Sequence, residues 1–157
     1  MTERPPVRPT RTPPAPFGSA DETEQQFYEA LRQADIERLM SLWSDDDDIY
    51  CVHPSGGRIV GPAAIRATFE AIFAHGAIDV RADSVRRVQT HDSAVHSVVE
   101  QVRPGSAAAA AGARPASVLA TNVYVKTPRG WRLVAHHASP GTAAERQEAA
   151  ESPSVLH

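Results

Sequence analysis

Apolar side chains recur at helical spacing through the first part of the chain. Phe27 and Leu31, and then Ile36, Leu39, Met40 and Trp43, fall three to four residues apart, the period that gathers side chains on one face of an α-helix. Gln33-Ala34-Asp35 separates the two stripes, so two short helices are expected, the second over about Asp35 to Trp43. Asp21 is a candidate N-cap, with Glu24 three residues on at the capping-box spacing. A third stripe of Ile65, Phe69, Ile72 and Phe73 follows Gly61-Pro62. Proline suits the first turn of a helix, where its missing N–H leaves no bond unmade.

Elsewhere the pattern is that of strands. Ile49 to His53 and Arg58 to Val60 flank Gly56-Gly57 and read as a hairpin. After His75-Gly76 come four more strand-like segments: Ile78 to Gln89, Ala94 to Val102, Ser117 to Lys126 and Trp131 to Ser139. Turns are expected at His91-Asp92-Ser93, across the Ala-rich Pro104 to Pro115, and at Pro128-Arg129-Gly130. Helices followed by a run of antiparallel strands indicate an α+β domain with helices on one face of a curved sheet. Residues 1–20, rich in Pro, Thr and Arg, are expected to be a disordered arm, residues 21–141 the folded domain, and residues 142–157 a flexible tail.

Composition narrows the function classes. A chain of 157 residues has room for one domain with a modest core. Its net charge of −3, with basic residues scattered among acidic ones, argues against a nucleic-acid surface or an anionic-membrane footprint. Cys51 is the single cysteine, which excludes an intramolecular disulfide and a thiolate-rich metal site. No secretory apolar segment opens the sequence and no run approaches the length of a membrane span, so a cytoplasmic protein is expected. The run Asp45 to Asp48 lacks the spaced oxygens, Gly and Glu of a calcium loop and reads as a solvated turn.

Strand parity sorts the candidate chemistry by face. In the last strand Leu133, Ala135, His137 and Ser139 alternate with Arg132, Val134, His136 and Ala138. The adjacent histidines therefore point apart and do not chelate one metal. In the preceding strand Asn122 and Tyr124 share one face, and Thr121, Val123 and Val125 the other. Both faces carry apolar side chains, although one layer of helices covers only one of them. A homodimer through the convex face, using Thr121, Val123, Val125, Val134 and His136, is the simplest cover.

The stretches WSDDDDIYCVHPSGGRIVGPAAIRATFEAIF, Trp43 to Phe73, and NVYVKTPRGWRLVAHHASP, Asn122 to Pro140, resemble the SnoaL-like and ketosteroid-isomerase-like proteins of the nuclear transport factor 2 superfamily. The resemblance covers about Glu22 to Pro140 and implies a cone-shaped α+β barrel, three helices closing a bent sheet around a deep, mostly apolar pocket. It implies that His53, directly before Pro54, stands at the family's base position, where steroid isomerases carry an aspartate. Counting back eight residues from the turn glycine Gly130 places Asn122 at the acidic donor's position. Counting back eight from Asp35 places Phe27, with Tyr28 beside it, at the tyrosine donor's. These changes move the chain away from steroid isomerisation itself.

His53 and Asn122 are accordingly the candidate catalytic pair, His53 as base and Asn122 as amide donor to an oxyanion. The plainer reading makes His53 a ligand-binding histidine and Asn122 its orienting partner. Candidate substrate-binding residues are Tyr124, His137 and Ser139 by strand parity, Tyr28 by the resemblance, and Glu100, a carboxylate among valines that needs a partner, either a pocket histidine or an arginine. Cys51 shares the parity of His53, which permits a Cys–His pair, though a small buried thiol is the commoner outcome. His53, His137 and Glu100 are permissible metal ligands, yet their spacing does not argue for a site, and neither metal nor cofactor is expected. The expected function is binding of a small apolar or carbonyl-bearing molecule, with proton transfer of the isomerase, dehydratase or cyclase type. The alternative is a non-catalytic dimeric ligand-binding or association module.

Overall fold

A computed structural model describes residues 18–142. The expected arm and tail lie outside these residues apart from their inner ends, where Ser19 and Ala20 already belong to the first helix and its cap. Helix α1 spans Ala20–Gln33, and its N-cap is Ser19 rather than Asp21. The Ser19 hydroxyl accepts from the Glu22 amide at 3.1 Å, and the Glu22 carboxylate accepts from the Gly18 amide at 2.8 Å. Glu22 thus takes the reciprocal capping role that spacing from Asp21 assigned to Glu24. Glu24 is free to turn inward.

Helix α1 ends at Ala34 in the left-handed conformation, and Asp35 caps α2, Ile36–Ser41, by accepting from the Arg38 amide at 3.1 Å. Strands β1 (Tyr50–Val52) and β2 (Arg58–Val60) form the short hairpin. Helix α3, Pro62–Phe73, begins at Gly61, whose φ of 93° suits glycine and whose amide donates to the Ile49 carbonyl at 2.8 Å. Strands β3 (Val80–Gln89), β4 (Ser93–Val102), β5 (Ala116–Thr127) and β6 (Gly130–Pro140) follow. The Ala-rich connection, expected as an irregular loop, contains a short helix α4, Ser106–Ala110, in line with alanine's helix propensity.

The six strands make one sheet in the order β2-β1-β6-β5-β4-β3. Its pairings are antiparallel except that of β1 with β6, which is parallel. A parallel pair needs a long connection, and the intervening helix and strands supply it. Helices α1 to α3 lie on the concave face over a core that includes Phe27, Leu31, Leu39, Leu42, Ile65, Phe69, Tyr124 and Leu133. Among the described residues no helix is long and apolar enough to cross a membrane.

Register decides which side chains enter that core. In β5 and β6, Tyr124 pairs with Leu133 but Val123 pairs with Ala135, so Val134 is an extra residue. Such a bulge reverses the parity of everything beyond it. The inward set of β6 is therefore Leu133, then His136 and Ala138, while His137 and Ser139 are exposed on the convex face. The strand-parity expectation for His136 and His137 is reversed.

Candidate functional site

One row of the sheet carries most of the interior chemistry. His96 of β4 is opposite Asn122 of β5, Asn122 is opposite His136 of β6, and His136 is opposite Cys51 of β1. Above the row, α1 presents Glu24, Phe27 and Tyr28, all buried. Glu24 and Tyr28 stand four residues apart, one helical turn, so both reach the same strands.

Hydrogen bonds join these groups. The Glu24 carboxylate receives Tyr124 Oη at 2.7 Å, His96 Nδ1 at 2.8 Å and Asn122 Nδ2 at 3.3 Å, all on Oε2. Asn122 Nδ2 also donates to Tyr28 Oη at 3.0 Å, and Tyr28 Oη donates to Glu100 Oε2 at 2.7 Å. His136 Nδ1 donates to Asn122 Oδ1 at 2.5 Å. Both amide protons and the carbonyl oxygen of Asn122 are thereby engaged within the protein. It cannot also donate to a substrate oxyanion, so its observed role is to orient His136 and link Glu24 with Tyr28.

Burial sets the charge states. Desolvation raises the Glu100 carboxyl to about 7, the Tyr28 hydroxyl opposing the shift and the Glu24 carboxylate adding to it. Burial lowers His136 to about 3, helped by His53 and His137 nearby. His136 is neutral, with its proton on Nδ1. Cys51 is raised to about 12 by burial and by Glu100, so it is an inert thiol at neutral pH and not a nucleophile. Tyr28 and Tyr124 are raised well above the ordinary tyrosine range, chiefly by desolvation.

His53 lies at the end of β1, on the same side as Cys51, and is half-buried. Its Nε2 is 3.8 Å from Cys51 Sγ, and its ring meets Phe69 edge-on with centroids 5.2 Å apart. Burial lowers its pKa below the ordinary 6.5, which leaves a neutral imidazole at physiological pH. Among the sequence candidates, the structure brings Tyr28, Glu100, Asn122 and Tyr124 into one bonded network, with His53 on the same side of the sheet. His137 and Ser139 are separated from it by the sheet itself. His137 faces out beside Thr121, and Ser139 Oγ donates to the Leu119 carbonyl at 3.3 Å. The trio His53, His137 and Glu100 is consequently not assembled, and among the described residues no cluster of three His, Cys, Asp or Glu is placed to hold a metal.

Glu24, His96 and His136 are the interior groups that sequence reasoning misses. His96 is legible in principle, because Glu100 faces inward on β4 and counting back by two reaches Val98 and His96. Glu24 shares the helical face of Tyr28, but its spacing from Asp21 also fits a cap. Nothing in the sequence marks the bulge at Val134.

The SnoaL-like domain profile matches residues 21–143. Among solved structures, a candidate calcium/calmodulin-dependent protein kinase type II association domain from Thiobacillus denitrificans is 31% identical, with a TM-score of 0.72 over 80% of this chain and 98% of that one. A candidate dehydratase of the NTF2-like family from Streptomyces avermitilis is 32% identical, with a TM-score of 0.66 over 77% and 92% of the two chains. An NTF2-like protein of unknown function from Pseudomonas putida, 18% identical over 81% and 87%, shares the fold with a TM-score of 0.67. No curated protein matches the chain significantly.

Proposed function

Because the chain belongs to the SnoaL-like domain family, a fold that hosts many activities, we propose from its own interior that it moves a proton on a small, largely apolar carbonyl compound. The observation that carries the reading is that a half-buried His53, its pKa lowered by burial, and a Glu100 raised by burial to about 7 lie on the same side of the sheet. Cys51 links the two, lying 3.8 Å from His53 Nε2 and feeling the Glu100 carboxylate.

In the reaction, the His53 imidazole takes a proton from the carbon beside the carbonyl. The electron pair moves onto the carbonyl oxygen, and protonated Glu100 donates to that oxygen from Oε1, since Oε2 already accepts from Tyr28. A carboxylic acid tuned near neutrality serves as donor in the way a solvent-exposed one does not. Return of the proton from His53 to another carbon gives isomerisation, and its delivery to a β-hydroxyl, which leaves as water while the enolate electron pair forms the C=C bond, gives dehydration. The Streptomyces relative's description as a candidate dehydratase agrees with this class. No cofactor enters the scheme.

Exchange of α-protons for deuterium in a panel of small ketones and enones tests the proposal on the whole substrate class at once. His53→Ala should lower exchange by roughly 10²- to 10⁴-fold. The rate should be bell-shaped, falling at acid pH as His53 is protonated and at alkaline pH as Glu100 ionises, with the alkaline limb near 7 absent in Glu100→Gln. Exchange undiminished in His53→Ala refutes the assignment.

A homodimer through the convex face accompanies this reading. Val60, Tyr50, Ala135, Val123, Val95 and Val88 form one continuous cross-strand row through all six strands. Among the described residues the large hydrophobic side chains left exposed are Tyr50, Val60, Val88 and Val95, and all of them belong to that row. The row favours a second copy as cover, through a two-fold contact. The same row is the observation that favours the second reading, an association module, and the Thiobacillus relative's description agrees with it. Loss of assembly without loss of exchange, or the reverse, separates the two.

A further inference from the structure

The side of the network away from His53 has features that the proposed reaction does not use. His96 is fully buried, its Nδ1 is bonded to Glu24 Oε2 at 2.8 Å, and its Nε2 has no partner. With Nδ1 bonded to a carboxylate, the Nδ1–H tautomer of the ring carries an unused lone pair on Nε2. A buried acceptor left unmatched is costly and calls for an explanation.

That nitrogen adjoins Asp21, a residue that lines a second opening. Nε2 lies 3.9 Å from Asp21 Oδ1, and Asp21 borders a groove of about 550 Å³ between α1 and β3. Glu24 and Tyr28 also line this groove, together with Arg32, Arg81, Asp83 and Arg87. The three bonds to Glu24 end on Oε2, so its Oε1 has acceptor capacity to spare. Over His96 sits the Arg87–Asp21 ion pair, Nε to Oδ1 2.7 Å, with both side chains about half exposed at 46% and 58%. A surface pair of that exposure opens at little cost.

We infer that this groove is a second ligand site, taking a small carboxylic acid with a neighbouring hydroxyl or amino group, and that the Arg87–Asp21 pair covers it when empty. The ligand carboxylate replaces Asp21 on the Arg87 guanidinium, a planar fork suited to such a group. The ligand's O–H or N–H donates to His96 Nε2 or Glu24 Oε1, the acceptors the fold leaves unmatched. The site uses neither His53 nor Glu100. Tyr28, which bonds Glu100, and Glu24, whose charge acts on Glu100, are common to both regions.

Titration of the full chain with glycolate, glycine and acetate at constant ionic strength, followed by calorimetry and by the ¹⁵N resonance of His96 Nε2, tests this. Glycolate or glycine should bind and shift the Nε2 signal, and acetate, which lacks the donor, should bind about tenfold more weakly or worse. Arg87→Gln should weaken binding by about tenfold, whereas Asp21→Asn should strengthen it severalfold by removing the competing carboxylate. A purely structural ion pair would move both variants in the same direction, which overturns the proposal. So does equal binding, or none, of the three acids, or an unmoved Nε2 signal. Proton exchange by His53 is unaffected by any of these results, so the two proposals fail separately.

Discussion

The two faces of the sheet are made by the same strands and differ in kind. The concave face gathers Glu24, Tyr28, His96, Glu100, Asn122, Tyr124 and His136 into a network whose bonds lie between 2.5 and 3.3 Å. The convex face presents a row of valines with Tyr50 and Ala135 and little polar organisation. The difference teaches where specificity resides in this fold. A buried polar group is costly when unmatched, so the interior tolerates few alternatives, while an apolar row accepts any cover of complementary shape. The bulge at Val134 decides which of two adjacent histidines enters each world.

Breaking the interior should have the largest effect. Glu24→Ala leaves the Tyr124 hydroxyl, His96 Nδ1 and one bond of the Asn122 amide without their shared acceptor. Removing one side of a buried charged network costs about 3–5 kcal/mol, which urea denaturation at constant m-value would measure. A loss under ~1 kcal/mol would mean that the network is open to water. The matching change on the other face is Val123→Arg, which lies in the convex row. It should leave the monomer's denaturation midpoint nearly unchanged and weaken self-association by several kcal/mol, about the cost of an unpaired buried charge. Sedimentation across a dilution series decides: a wild type that is monomeric at micromolar concentration removes the dimer, and a variant that stays dimeric moves the interface elsewhere.

The pH dependence of stability sharpens the interior further, because two of its groups act with opposite sign. Glu100 is raised from 4.5 to about 7, so the folded state holds its proton longer than the unfolded state does. Its contribution is fully present below pH 4.5 and is lost as pH rises through 7, a span worth roughly 3 kcal/mol. His136 is lowered from 6.5 to about 3, so its contribution is present above 6.5 and is lost as pH falls towards 3. Between about 4.5 and 6.5 the two slopes oppose each other and the wild type should be nearly flat. Glu100→Gln should expose the His136 slope, with stability rising across that window. A flat profile in the variant would contradict the burial argument for His136.

Most of the architecture is legible in the sequence because it rests on local periodicity. The stripes of Phe27 and Leu31 and of Ile65 and Phe69, the Gly61-Pro62 start and the hairpin at Gly56-Gly57 each follow from backbone rules acting over a few residues. The family resemblance carries the rest of the fold and places Asn122 and Tyr28 in the interior. What is not legible depends on long-range register. The extra residue at Val134 exchanges His136 for His137 and removes Ser139 from the interior, and no glycine or proline announces it. The parallel pairing of β1 with β6 is likewise set by the closure of the sheet and not by either strand's own sequence. For Asn122 the place is legible but the chemistry is not, because whether an amide is free to donate depends on neighbours from α1 and β6 that only the folded chain supplies.

Within the concave face, the smallest expected effect on stability belongs to the residue expected to matter most for chemistry. His53 stands at the edge of the interior, half-buried, and beyond Cys51 Sγ at 3.8 Å its principal contact is the edge of Phe69. Losing an edge-to-face contact of this kind costs about 0.5–1.5 kcal/mol, well below the cost of removing Glu24. His53→Ala should therefore unfold close to the wild-type midpoint and keep the convex row intact, so its self-association should match the wild type. The same variant should lose α-proton exchange, since no other interior histidine is poised to replace it: His136 has its Nδ1 proton committed to Asn122 and a pKa near 3, and His96 is sealed behind Asp21 and Arg87. Measured on one preparation, denaturation, sedimentation and exchange separate the possibilities. A variant that loses exchange with stability and assembly preserved makes His53 a reacting group. One that loses stability by about 3 kcal/mol or more, what a buried core group costs, makes it part of the scaffold, and the chemistry would then have to be sought elsewhere on the concave face.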